Sequence, residues 1–96
     1  MARQKKPVHP GTVLYEEYMK PRGIKQARLA EEIRIYASTI NGIVLGKRNI
    51  SCDTALRLAK YFKTTPEFWL DLQNQYNLFE KKKKIAEDYA AIKPIK

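Results

Sequence analysis

The chain has 96 residues and a formal net charge of +9, a length that suits one domain of about five helices around a modest core. It holds no run of 18 apolar residues and no apolar signal core at its N-terminus, which argues against a membrane span or a secretion signal. Its single cysteine, Cys52, cannot form an internal disulfide and fits a reducing cytoplasm.

The charge is concentrated at the ends. Residues 1–7 carry three basic groups and no acidic ones; residues 8–79 carry ten basic and seven acidic groups; residues 80–96 carry six and three. A basic excess favours polyanions by counterion release, and it also serves solubility. No nucleophile–base pair, carboxylate dyad or metal-ligand cluster is visible, so neither an enzyme nor a metal or other cofactor is expected.

Residues 1–8 are polar and basic and contain Pro7. They read as a flexible arm, either untethered like most termini or following a DNA backbone or minor groove. His9-Pro10-Gly11 opens a first helix, with proline at a position where its missing N–H costs nothing. Leu14, Tyr15, Tyr18 and Met19 are its expected buried stripe, Glu16 and Glu17 its wet side, and Pro21 and Gly23 its end. His9 has no ligand-type neighbour at metal spacing and reads as structural. A second helix starts near Lys25-Gln26, where a serine or threonine would cap better than lysine. Gln26 can reach a phosphate or a base edge, or stand as a solvated first-turn residue.

Two short amphipathic segments follow. Leu29, Ala30 and Ile33 share one face; Ile40, Ile43 and Val44 share another; Arg34-Ile35-Tyr36 leaves room only for a tight corner. This is the pattern of a helix-turn-helix unit. Ala30 permits a close crossing, and Ile35 is expected to plug the corner from inside. With the isoleucines inward, Ala37, Ser38, Thr39, Asn41 and Gly42 face outward or flank the contact. Such a face can enter a DNA major groove, or be the wet side of any surface helix. Gly46 supplies a left-handed stop, and Lys47-Arg48 stand where they could hold phosphates or complement the helix dipole.

Ser51 caps a fourth helix with Asp53 in its first turn; Ala55, Leu58, Ala59 and Phe62 recur at core spacing. Cys52 is expected to pack as a small apolar group near its start. Thr65-Pro66-Glu67 opens a fifth helix with cap, proline and acid in order. Trp69, Leu72, Tyr76 and Phe79 can share one face, with Phe68 displaced from it. That is more large apolar surface than one small stripe needs. Phe68, Leu72, Tyr76 and Phe79 are therefore candidates for a dimer or partner interface, with a well-filled core as the competing reading. Lys81–Lys84 either extends this helix or frays it. Residues 81–96 read as a basic tail with apolar content, either ordered by binding or loose.

Taken together, these residues resemble the HigA-type antidote proteins. His9-Pro10-Gly11, Tyr15-Glu16-Glu17-Tyr18 and Pro21 resemble the family's opening. Ile40-Asn41 with Gly46-Lys47-Arg48 resembles its helix-turn-helix, Asp53–Ala59 its fourth helix, and Thr65–Gln73 its most specific signature. The resemblance covers about residues 9–79. It implies an all-α, five-helix domain of the Cro/C1 type over residues 9–80, between the arm (1–8) and the tail (81–96).

It also implies the antitoxin of a bacterial toxin–antitoxin pair. Such a protein binds a HigB-type, RelE-like mRNA endonuclease and, as a homodimer, represses the shared operon at an inverted repeat of double-stranded DNA. It would be cytoplasmic, and nucleoid-associated when bound. On that reading Gln26, Tyr36, Ser38, Thr39 and Asn41 lie near base edges, and Lys25, Lys47 and Arg48 hold phosphates. Two departures stand out. The family's turn often opens with glycine, where this chain has Arg34, so a non-glycine residue there is expected to take positive φ. The front of the third helix often carries arginine, where this chain has Ala37, Ser38 and Thr39, which weakens guanine reading.

Overall fold

His9 starts the fold. Its Nδ1 accepts the Gly11 N–H at 2.9 Å and so caps the first helix. A computed structural model describes residues 6–96, so most of the arm expected over residues 1–8 lies outside the described residues. Helix α1 (Pro10–Val13) runs directly into a π-helical turn (Leu14–Met19) and a 3-10 turn (Lys20–Arg22). Then come α2 (Gln26–Ile33), α3 (Ala37–Val44), α4 (Cys52–Phe62), α5 (Pro66–Lys84) and a short α6 (Ala86–Ala91). The expected five-helix domain is present, and the tail adds α6. Among the described residues all regular structure is helical, and no helix is long and apolar enough to cross a membrane.

The π turn has a local cause. Pro21 has no N–H to give the Glu17 carbonyl and crowds that position. The turn widens ahead of it, and the Lys20 N–H bonds Tyr15 O. Arg22 Nη1 then donates to Glu17 O at 3.2 Å and Tyr18 O at 3.1 Å. The wider turn brings Leu14 and Met19, five apart, to the same inward side, where both are fully buried. It also overturns one expectation: Tyr15 is exposed rather than part of the buried stripe, and Val13 takes up core space instead.

The core joins Leu14 and Met19 to Leu29, Ile40, Ile43, Leu58 and Trp69. Ser51 Oγ accepts the Thr54 N–H at 3.1 Å and Thr65 Oγ1 accepts the Phe68 N–H at 3.1 Å, so both expected caps are made. Cys52 is exposed, against expectation. As the residue right after the cap it lies on the outer side of the first turn, and the inward stripe starts with Thr54 and Ala55. Trp69 is buried, and its Nε1 donates to Thr64 Oγ1 at 2.8 Å. Phe68, though off the face that Trp69 shares with Leu72, also finds packing partners. It lies edge-on to Trp69 and to Tyr18 and rests against the core, as does Leu72.

Candidate nucleic-acid interface

Leu29, Ala30 and Ile33 of α2 are buried, and so are Ile40 and Ile43 of α3. Between the helices Arg34 adopts φ 66°, ψ 47° and its N–H bonds Ala30 O, closing α2 in the left-handed conformation. The Ile35 N–H bonds the same carbonyl at 3.0 Å, and its side chain packs on the core, plugging the corner. The Arg34 conformation carries a steric penalty that glycine would not, and neighbouring groups hold it. Arg57 Nη1, reaching from α4, donates to Ile33 O at 2.8 Å and Arg34 O at 3.1 Å. Asp53 Oδ2 orients Arg57 by accepting from its Nε at 2.9 Å. Tyr61 of α4 hydrogen-bonds Glu32 of α2 beside this bracket and lowers the Glu32 pKa.

With Ile40 and Ile43 inward, the helical period puts Ser38, Gly42 and Leu45 on the opposite side of α3. Ser38 and Asn41 are exposed and Thr39 is half-buried. Tyr36 precedes the helix with 82% of its side chain exposed. The structure thus leaves Tyr36 and Ser38 exposed at the start of α3, with Thr39 and Asn41 on its two flanks. Lys25 and Gln26 stand at the amino end of α2, the opposite end from the turn, with Lys25 exposed and Gln26 half-buried.

The segment after α3 is pinned on both sides. Gly46 takes φ 76°, and the Lys47 and Arg48 N–H groups both bond Gly42 O, at 2.8 and 3.1 Å. From α5, Gln73 Oε1 accepts the buried Ile50 N–H at 2.7 Å. Its Nε2 donates to Asn49 Oδ1 at 3.2 Å and to Asn77 Oδ1 at 3.0 Å. Gln73 was missed in the sequence, although it follows Trp69 by four residues and so shares its inward face. Lys47 is exposed. Arg48 is exposed too; its stem lies over Gly42, and Nη1 donates to Thr39 Oγ1 at 3.3 Å.

His9 braces the same segment from beneath. Its ring lies edge-on to Tyr76, centroids 5.0 Å apart, and a Cβ at Gly46 would come within 3.8 Å of its Cγ. A Cβ at Gly11 would collide with the Ile43 carbonyl oxygen, so α1 abuts the end of α3 where only glycine fits. His9 Nε2 is buried without a well-formed hydrogen bond. Burial pushes the His9 pKa down, and the Arg48 backbone only partly offsets this. Among the described residues no group of three His, Cys, Asp or Glu side chains is placed to hold a metal.

A family model described as helix-turn-helix matches residues 16–69, more than half of the chain. A solved addiction-module antidote protein of the HigA family from Coxiella burnetii is 39% identical, with a TM-score of 0.88 over 95% of this chain and 100% of that one. The chain belongs to the HigA-type helix-turn-helix family. This is a family of regulators and not of enzymes. A second HigA-type structure, the Pseudomonas aeruginosa antitoxin HigA with its higBA promoter, is 36% identical. Its TM-score is 0.90 over 94% of this chain and 99% of that one. Virulence-associated protein I of Dichelobacter nodosus is 45% identical over 74% of this chain, a match that spans 66% of that relative's length.

Proposed function

We propose that this HigA-type protein is the antitoxin of a toxin–antitoxin pair. It neutralises a HigB/RelE-like mRNA-cleaving toxin and, as a cytoplasmic homodimer, represses its own operon at an inverted repeat. One observation carries the DNA half of this reading. Ser38 and Asn41 are exposed on α3 with Thr39 half-buried between them, Tyr36 stands at its start and Lys47 past its end, and Arg57 braces the turn before the helix as Gln73 braces the segment after it. The same fold is seen with promoter DNA in the Pseudomonas protein. Tyr36, Ser38, Thr39 and Asn41 contact base edges, with Gln26 at a neighbouring point, and Lys25, Lys47 and Arg48 hold phosphates.

The residue 9–80 domain carries the DNA surface, and the residue 81–96 tail carries the second copy or the toxin. Phe68 and Leu72 are largely taken up by the core, and Tyr76 by His9. Phe79 lies under Lys83, 5.1 Å from the ring centroid. The apolar surface left for a partner therefore continues onto Leu78, Tyr89 and Ile92, all more than half exposed. Co-expression with the product of the adjacent gene tests the toxin half. Relief of that product's growth arrest, with co-purification of both chains, is expected. Persistent arrest and no complex, alongside intact operator binding, would make this a stand-alone regulator.

A further inference from the structure

Helix α3 reads ASTINGIV and contains no arginine. The side chain that lies on its outer face comes from elsewhere. Gly42 sits opposite Ile40 and Ile43, at the centre of the face that would meet DNA. A Cβ there would stand 2.8 Å from Arg48 Cδ and 2.9 Å from Arg48 Cγ, so the stem of Arg48 fills the space that a side chain at Gly42 would occupy. The backbone fixes this seat, because the Arg48 N–H bonds Gly42 O at 3.1 Å. The guanidinium then runs toward the start of the helix, where Nη1 donates to Thr39 Oγ1 at 3.3 Å.

The geometry points to Arg48 as a base-reading arginine, delivered onto α3 from the following loop through the gap left by Gly42 and aimed by Thr39. This rests on the DNA-binding reading above and changes the role given there to one residue. A phosphate contact needs only a positive charge at the rim, which Lys47 supplies. A guanidinium laid along the outward face has the planar fork that pairs with guanine O6 and N7 in the major groove. Thr39 accepts one of its N–H groups and leaves the others for the base. Thr39 then acts partly through Arg48, and the missing arginine at the front of α3 is replaced in space rather than in sequence.

Selection of bound duplexes from a random pool tests this with wild type, Arg48→Lys and Gly42→Ala. Arg48→Lys keeps the charge and loses the fork. Gly42→Ala keeps Arg48 and fills its seat, in a helix that alanine favours. The wild-type motif is expected to contain a guanine in each half-site that both variants lose, with discrimination there falling about tenfold or more and the other positions kept. An unchanged motif with Arg48→Lys would overturn the inference and return Arg48 to the phosphates. So would an unchanged motif with Gly42→Ala, because the arginine would then not depend on that seat. A wild-type pool that yields no motif would instead defeat the DNA-binding reading itself.

Discussion

Arg34 holds a backbone conformation that glycine adopts without strain. Left-handed geometry costs an L-residue roughly 1–2 kcal/mol, part of which glycine returns through its freer unfolded chain. Arg34→Gly should therefore stabilise the domain by about 0.5–1 kcal/mol in thermal or urea unfolding. A loss would show that the exposed Arg34 side chain makes a contribution the fold does not reveal. His9 sets a pH dependence of definite sign. Its Nδ1 must stay unprotonated to accept the Gly11 N–H, and its Nε2 side is buried, so its pKa lies below the ordinary 6.5 in the folded state. The unfolded chain then binds more protons than the folded one as pH drops below that value, and stability must fall. Denaturation midpoints should decline from about pH 6.5 downward, and His9→Asn, which keeps a capping oxygen, should flatten that slope.

Each element carries part of the site, and α5 shows this best. Gln73 reaches from a helix distant in sequence to hold Asn49 and Ile50, and so fixes the segment that bears Lys47 and Arg48. Gln73→Leu should leave the Ile50 N–H buried and unpaired, costing about 1–3 kcal/mol, and should speed amide exchange across residues 46–50 while sparing α2. Unaltered exchange there would mean that the turn at Gly46 suffices alone. The helix boundaries were legible because their signals are local: Ser51, Thr65-Pro66 and Gly46 cap or stop a helix by chemistry within three or four residues. Arg34 was legible by a different route, the resemblance to a family whose turn often opens with glycine where this chain has Arg34. The burial of Tyr15 was misread because a 3.6-residue period was applied where Pro21 forces a wider turn. Gln73 escaped because a polar residue on an apolar face declares itself only once its partners, 23 and 24 residues away, are in place.

At the scale of the molecule, the proposed DNA surface joins α3 to the basic segment after it, and the proposed partner surface joins the outer part of α5 to α6. The face of Ser38, Thr39 and Asn41 was legible because it is the complement of a short apolar stripe. The course of Arg48 across α3 was not, because it depends on the empty space at Gly42. Helix α6 follows a run of four lysines and leaves Tyr89 and Ile92 uncovered, which is why dimerisation is placed at this end. A two-fold dimer sets two α3 helices about 34 Å apart, one turn of DNA, and so calls for an inverted repeat. Fluorescence anisotropy with DNA from upstream of its own gene, beside a scrambled duplex and across a salt series, tests operator binding most directly. The native duplex should bind about a thousandfold or more tighter, with the preference surviving physiological salt. Equal binding to both duplexes, lost together as salt rises, would show only the +9 charge at work, and operator recognition would be contradicted.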